Sequence, residues 1–265
     1  MTFAVIGGGR VSGSFVARLP RLGSDLGPVA AQSYRQASRI ANSIGAGHAV
    51  KRYEDLDGSA LILICAPAKA VGQIVSALAD AIDGRGKILL LCDSGVDSRQ
   101  LAGLKSKGAK VGSIQAIPGF EGRRFVVEGD GAAVRAAKRL VGQLGGRVEE
   151  VSAAKLDVYA AGLSFGRSLF TPLMEASLLC LQEAGMPKPS AMKVVEALFQ
   201  SSLRAYAYAG KRSWSGPLAA GTYAAVRKEV EALTASNPVL ARYYREAATL
   251  ALQLLGGKGD LNDPF

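Results

Sequence analysis

The chain has few of the side chains from which metal centres and disulfide frameworks are built. Its 265 residues include three cysteines (Cys65, Cys92 and Cys180) and one histidine. Each cysteine stands alone in an apolar segment, which excludes a CxxC metal motif and argues against a disulfide framework. The histidine, His48, falls in a connection between predicted elements. We therefore predict no metal site and expect His48 at the surface.

Long apolar runs are also lacking. A membrane-spanning helix needs about 18–20 consecutive apolar residues, whereas the best candidate, residues 60–66, has only the length of a strand. The N-terminus shows neither the charged leader nor the cleavage site of a secretory signal. From these absences we expect a cytoplasmic protein that does not contact a membrane.

Negative charge is the scarcer sign, because 22 Asp and Glu stand against 32 Lys and Arg, a net charge of +10. Most of the excess lies in residues 1–151. A positive field there would favour an anionic cofactor. Nucleic-acid binding is the less favoured interpretation, since the basic residues are scattered and are not interleaved with aromatic ones.

A glycine-rich turn stands near the start of the chain. The apolar residues 3–6 lead into three consecutive glycines, residues 7–9, and a helical pattern begins at Arg10. This strand–turn–helix order is typical of dinucleotide-binding folds, in which glycines let the backbone approach a pyrophosphate at the helix N-terminus. Ser12 replaces the third glycine of the G-x-G-x-x-G fingerprint. The motif alone is weak, and a plain βα turn is its alternative.

The end of the second predicted strand (29–34) bears on the cofactor. An Asp or Glu there would bind the ribose hydroxyls of NAD, whereas an Arg suits the 2′-phosphate of NADP. The strand ends in Ser33, Tyr34 and Arg35, with Arg39 one helical turn further on. We therefore predict NADP, with NAD less favoured. The alternative is that Arg35 is an ordinary solvated residue at a helix start.

Strands and helices alternate through the first part of the chain, which predicts βαβ units in a sheet covered on both faces. Predicted strands occupy 3–6, 29–34, 49–53, 60–65, 87–92, 110–115, 124–128 and 147–150, and predicted helices occupy 10–22, 37–44, 70–82, 98–107 and 132–144. The fold class is therefore α/β, a Rossmann-type doubly wound and mostly parallel sheet. Its ligands are expected at the carboxyl ends of the strands.

After Val151 the strand signal ends and an all-helical domain is predicted. A long helical pattern covers 153–184 and is interrupted only at Pro172, and Ser190 is the expected N-cap of a second helix that ends near 205. Further helices are predicted at 223–235 and at 238–256, the last with Pro in its first turn. We assign 1–151 to an NAD(P)-binding domain and 152–265 to a helical substrate or dimerisation domain.

Several segments together resemble one group of proteins: 6–11, 64–67, 93–95, 108–114, 156–161 and 215–221. They are similar to bacterial Rossmann-like NADP-binding proteins with an uncharacterised helical C-terminal domain. That group is related to pyrroline-5-carboxylate reductase, ketopantoate reductase and the 6-phosphogluconate dehydrogenase superfamily. The resemblance implies NADP binding, a reductase-like cleft between two domains, a C-terminal domain like that of 6-phosphogluconate dehydrogenase and often a homodimer built from the helical halves.

The chain also departs from that group. Where the group has a His-Pro pair after the last central strand, this chain has Gln115-Ala116. The histidine that follows the tyrosine of the long helix is replaced by Ala160, and a nearby asparagine by Ser168. These departures put catalysis by the group's usual residues in doubt and leave nucleotide binding intact.

The predicted cofactor contacts are Gly7, Gly8, Gly9, Arg10, Val11, Ser12, Ser33, Tyr34, Arg35, Cys65, Ala66, Pro67 and Ser94. The catalytic candidates are Ser94, Gln115, Lys155, Tyr159, Ser164 and Ser168. Lys155 resembles in position the lysine of β-hydroxyacid dehydrogenases, although a solvated helix-start lysine would look the same. Gln115 could bind the nicotinamide amide or a substrate carbonyl, or it could be a structural amide.

Two functions are compatible with these residues. The first is an NADP-dependent oxidoreductase that reduces a small carbonyl or imine compound by hydride transfer. The second is a catalytically degenerate NADP-binding sensor or scaffold, for which the missing histidines argue.

Overall fold

The computed structural model describes residues 2–7, 14–19, 25–120 and 122–256. The chain divides into two compact units, Met1–Ala161 and Gly162–Phe265. The described part of the first unit forms an eight-stranded sheet with helices on both faces. Its strands are β1 (Thr2–Gly7), β2 (Asp25–Ala31), β3 (His48–Ala49), β4 (Leu61–Cys65), β5 (Ile88–Cys92), β6 (Lys110–Ala116), β7 (Arg124–Gly129) and β8 (Arg147–Glu150).

The strand order is β3-β2-β1-β4-β5-β6-β7-β8. Strands β1 to β6 run parallel, β7 pairs antiparallel with β6, and β8 pairs parallel with β7. From β1 the chain first builds outward to β2 and β3, and then crosses back to β4 on the other side. The predicted fold class, a doubly wound and mostly parallel Rossmann-type sheet, is therefore confirmed.

The strands are apolar on both faces because helices cover both. The helices of this unit are α1 (Tyr34–Ile44), α2 (Ala68–Ala81), α3 (Ala102–Ser106), α4 (Gly131–Gln143) and most of α5 (Leu156–Phe165). Alternate residues of β4 enter two separate cores: Leu63 packs with residues of α1 and α4, and Ile62 packs with residues of α2 and α3. A strand buried on both sides in this way reads as a continuous apolar run.

Several predicted boundaries in this unit are wrong. Strand β2 ends at Ala31 instead of residue 34, because the Ser33 hydroxyl accepts a hydrogen bond from the Gln36 N–H and caps α1. The third strand is only His48–Ala49, and Tyr53–Leu56 forms a 3-10 helix. Of the predicted helix 10–22, the described residues 14–19 contain a 3-10 helix, Phe15–Arg18.

The second unit is helical in its described part. It contains the end of α5, then α6 (Phe170–Glu183), α7 (Lys188–Ala209), a 3-10 helix (Gly210–Ser213), α8 (Tyr223–Ser236) and α9 (Pro238–Leu255). A small core of Leu178, Ala191 and Val195 joins α6 to α7. Helix α9 begins with Pro238 in its first turn, as predicted, and Asn237 caps it by accepting hydrogen bonds from the N–H groups of Val239 and Leu240.

The helix break predicted at Pro172 lies elsewhere. Helix α5 ends at Phe165, and Pro172 falls in the first turn of α6, where a missing N–H breaks no intrahelical hydrogen bond. The predicted N-cap Ser190 is also wrong, because α7 begins at Lys188 after Pro187. Across the described ranges, no helix combines the length and the apolar character that crossing a membrane requires.

Candidate functional site

The carboxyl ends of the parallel strands meet at one edge of the sheet, and Gly7 lies at its centre. Gly7 pairs with Ala31 of β2 on one side and with Cys65 of β4 on the other. The strand order reverses between β1 and β4, and ligands of open α/β sheets bind in the crevice outside such a reversal. The predicted contacts Gly8, Gly9, Arg10, Val11 and Ser12 lie outside the described residues.

The second group of predicted cofactor contacts lies on α1. Ser33 is the N-cap of this helix, and Tyr34 and Arg35 are exposed in its first turn. The N-terminus of a helix is the positive end of its dipole and has N–H groups without intrahelical partners. These three residues therefore lie at a helix start beside the end of β2, instead of on the strand itself.

A cavity of about 330 Å³ lies next to the end of β2. Residues from β2 and the chain that follows it, from the segment after β3, and from α2 line this cavity: Ala30, Ala31, Gln32, Lys51, Arg52, Tyr53, Ala70, Gln73, Ile74 and Ala77. Two of the lining residues are cationic and none is acidic. Its size falls in the range of small-molecule sites, and it suits the adenosine half of a dinucleotide.

Lys51 and Arg52 are the site residues that sequence reasoning missed. They stand near the end of the predicted third strand, residues 49–53, so the rule that singled out strand ends could have found them. They were missed because the strand before them is weakly marked in the sequence: β3 has only two residues. Burial of the neighbouring Tyr53 side chain raises the pKa of its phenol above the ordinary value.

At the end of β4, the predicted contacts Cys65 and Ala66 are buried, and Pro67 is exposed at the N-cap of α2. Cys65 adjoins Cys92, because the preceding residues of β4 and β5 pair in register. Burial raises the pKa of the Cys92 thiol well above its ordinary value, and contact with the Cys65 sulfur adds to the shift. Cys65 and Cys92 therefore lie side by side at this edge of the sheet.

The turn after β5 carries Asp93 and Ser94. Asp93 has a φ of 51°, and among the described residues it is the only non-glycine with a positive φ. Its Oδ1 accepts a hydrogen bond from the Ala116 N–H at 2.7 Å, which fixes the turn to β6. Desolvation raises the pKa of the Asp93 carboxyl, although the residue is exposed, and the hydrogen bond from Ala116 opposes the shift.

The candidate Ser94 is 4% exposed, and its hydroxyl donates to the Cys92 carbonyl at 3.4 Å. The candidate Gln115 donates from Nε2 to the Val96 carbonyl at 3.3 Å. In this structure, then, Gln115 ties the segment after β5 to β6. Asp93, Ser94 and Gln115 are thus brought together where β5 and β6 end.

Glu128 of β7 fastens the same segment from the other side. Its two carboxylate oxygens accept hydrogen bonds from the N–H and the hydroxyl of Ser98, each at 2.8 Å, and the residue is 1% exposed. A buried carboxylate is stable when its oxygens are paired in this way. The segment from Asp93 to Ser98 is therefore held at both ends.

The remaining catalytic candidates follow the sheet. In the first unit, Lys155 is exposed at the end of a 3-10 helix, and Tyr159 is half-buried in α5, where burial raises the pKa of its phenol. In the second unit, Ser168 is exposed, and its hydroxyl donates to the Ser164 carbonyl at 3.4 Å. The single histidine, His48, is exposed on β3, the outermost strand on its side of the sheet.

Comparison with known proteins supports this description of the fold. Residues 124–251 match a family model described as Domain of unknown function (DUF2520). Among curated proteins, none matches the chain by sequence. A candidate NADP oxidoreductase from Bacteroides fragilis has a similar structure, with a TM-score of 0.75 and 13% identity over 96% of this chain and 97% of that one.

Two further similar structures are reductases. An imine reductase from Myxococcus stipitatus, solved with NADP⁺, has a TM-score of 0.63 and 21% identity over 97% of this chain and 96% of its own. Its V8 variant was solved with NAD⁺. A pyrroline-5-carboxylate reductase from Coxiella burnetii has a TM-score of 0.55 and 14% identity over 97% and 98%. The resemblance predicted from the sequence, to Rossmann-like reductases with an uncharacterised C-terminal domain, is confirmed at the level of fold.

Proposed function

We propose that the chain is a nicotinamide-dependent oxidoreductase that prefers NADP and reduces a small carbonyl or imine compound. The observation that carries the proposal is the carboxyl edge of the parallel sheet. There, Gly7 stands at the reversal of strand order, beside a cavity lined by two cations and no carboxylate. An edge of this kind suits a phosphorylated dinucleotide, and the imine reductase that shares the fold was solved with NADP⁺.

Different residues at this edge would bind the parts of the cofactor and transfer the proton. The pyrophosphate would lie next to Gly7 and the predicted contacts that follow it, and the adenosine would occupy the cavity beside β2. The bound nicotinamide supplies the hydride. Desolvation raises the pKa of the Asp93 carboxyl, where β5 ends, and a raised pKa is the direction that a proton donor to the substrate requires. Ser94 and Gln115 at this edge remain catalytic candidates, as do four residues that follow the sheet in the chain: Lys155, Tyr159, Ser164 and Ser168.

The helical domain, 152–265, is proposed to bind substrate and to form a homodimer. In the second unit, large apolar side chains are exposed: Leu163, Phe165, Leu169, Leu173, Leu179, Met192, Leu198, Leu203, Tyr206, Tyr208, Val239, Leu250 and Leu254. Extensive apolar surface of this kind marks interaction sites. Sedimentation equilibrium should give a mass near twice 27.5 kDa, and a monomer at all concentrations would reject the dimer.

A second candidate, a catalytically degenerate NADP-binding sensor or scaffold, is favoured by one observation. The lone histidine is exposed on the outer strand β3. Gln115 stands where the resembled group has a histidine, and its side-chain amide donates a hydrogen bond to the Val96 carbonyl. The carboxyl edge of the sheet therefore has no histidine side chain to act as an acid or a base.

One experiment separates the two functions. NADPH fluorescence is titrated with the purified full chain, and 2-oxo acids and cyclic imines are then screened for NADPH oxidation. Binding with turnover of a panel member supports the reductase. Saturable binding without turnover across the panel favours the sensor, and the absence of binding to NADPH and NADH rejects both.

A further inference from the structure

The cavity beside β2 assigns the recognition of the cofactor's 2′-phosphate to a residue other than the one the sequence indicated. Arg35 was predicted for that role because it follows the second strand. In the structure, Gln32 lines the cavity, whereas Ser33, Tyr34 and Arg35 do not. The cations that do line it, Lys51 and Arg52, come from the segment after β3.

These two cations differ in how far their charge is already neutralised. The Arg52 guanidinium lies 3.6 Å from Asp55 Oδ1, and the Arg52 backbone N–H donates to Asp55 Oδ2 at 3.2 Å. For Lys51, no carboxylate of the described chain lies within 4.0 Å of its ammonium group. Lys51 therefore brings a net positive charge to the cavity, and Arg52 shares its charge with Asp55.

Lys51 is also oriented by its surroundings. Its Nζ lies 5.8 Å from the centroid of the Tyr34 ring, a distance at which the face of the ring attracts a cation. Backbone pairing continues beyond β3, because the Val50 N–H donates to the Val29 carbonyl at 2.9 Å and fixes the chain just before Lys51. The ammonium group therefore lies over the Tyr34 ring at the start of α1, and the Lys51 residue lines the cavity.

We infer that Lys51 is the specificity-determining residue for NADP, binding the 2′-phosphate as a point charge while Tyr34 orients its side chain. The inference rests on the proposed function, since it needs a nicotinamide cofactor in this cavity. Lysine suits the role because its ammonium group pairs with a phosphate without a fixed geometry. NADH presents a neutral hydroxyl at the same position, so Lys51 should contribute little to its binding.

The test compares NADPH with NADH, which differ only in the 2′-phosphate, so that the ratio of their dissociation constants isolates this contact. For Lys51→Ala, the Kd for NADPH should rise about tenfold or more, the scale of one charge-assisted contact. The Kd for NADH should stay within about twofold, as expected where no charged partner is lost. Lys51→Arg keeps the charge and should retain most of the preference. Lys110→Ala is the matched control, because Lys110 is an exposed lysine at the start of β6 that does not line the cavity, and it should leave the ratio unchanged.

Each other outcome counts against the inference. The role of Lys51 is overturned, and the proposed function is kept, if the wild type prefers NADPH and Lys51→Ala leaves that preference intact. The same follows if Arg35→Ala removes the preference and Lys51→Ala does not. Equal affinity of the wild type for both cofactors overturns it too. Failure of the wild type to bind either cofactor overturns the proposed function and this inference together. Thermal unfolding of every variant checks the fold, which an exposed Lys51 side chain should not affect.

Discussion

Asp93 offers a test of how the turn after β5 is built. The residue combines a left-handed backbone, with φ at 51°, and a side chain that accepts the Ala116 N–H. Asparagine tolerates this region of φ better than most residues and keeps an acceptor oxygen. Alanine lacks the acceptor and tolerates the region poorly, and glycine accepts the backbone but also lacks the acceptor. The three substitutions therefore separate the cost of the left-handed backbone conformation from that of losing the hydrogen bond to the Ala116 N–H.

The magnitudes follow from these contacts. Alanine should lose about 1 kcal/mol through the left-handed conformation and about 1 kcal/mol through the unpaired Ala116 N–H. The sum of about 2 kcal/mol corresponds to a fall of roughly 4–8 °C in the Tm of the sheet unit. Asp93→Gly should lose only the hydrogen bond, about half as much, and Asp93→Asn should unfold close to the wild-type temperature.

The pH dependence has a definite sign. The raised pKa means that the folded chain binds the Asp93 proton more tightly than the unfolded chain does, so the stabilising contribution is complete at low pH. It is lost as the pH rises from about 4, the ordinary aspartate value, through the folded pKa. Asparagine stays neutral, so the Tm of Asp93→Asn should rise relative to that of the wild type as the pH goes from 4 to 7.

The assay is thermal unfolding followed by circular dichroism at both pH values. Equal losses for Asp93→Ala and Asp93→Asn would refute the role given to backbone and hydrogen bond. A Tm of Asp93→Asn that falls relative to that of the wild type as the pH rises would refute the desolvation of the carboxyl.

Two further predictions concern the strand that supports this turn. Glu128→Ala should cost about 3–5 kcal/mol, because it leaves both donors of Ser98 unpaired in a buried site, and Glu128→Gln should cost less than half of that. Urea unfolding measures both, and equal costs would contradict the hydrogen-bond account. Gly129→Ala should cost about 3 kcal/mol or more, since the added Cβ would lie 2.3 Å from the Val111 carbonyl oxygen. Gly142→Ala, at an exposed helical site with open space around it, should stabilise the chain by about 0.5–1 kcal/mol in the same assay, and a loss at both positions would contradict this reasoning.

The fold could be predicted because its signals are local. The apolar run of β4 and the spacing of strands and helices indicate a buried parallel sheet wherever they occur. The direction of β7 could not be predicted, because no local pattern distinguishes an antiparallel strand from a parallel one. Pro172 misled for a related reason, since a proline in a first helical turn and a proline that breaks a helix look alike until the chain is folded.

The candidate site was predictable only in part. Gly7 and the strand ends follow from the doubly wound fold. The roles of Gln115 and Glu128 depend on contacts with Val96 and Ser98, which lie 19 and 30 residues away and are set by the pairing of strands. Lys51 was missed although it follows a predicted strand, because β3 has only two residues and the cavity that Lys51 lines with residues of β2 and α2 appears only once the chain is folded.

A crystal structure of the chain with NADP bound tests the central claim most directly. The account predicts the pyrophosphate at the carboxyl edge next to Gly7 and the adenosine in the cavity lined by Gln32 and Tyr53, with the 2′-phosphate against Lys51. NADP bound away from this edge, or an edge left empty in crystals grown at saturating NADP, would contradict it.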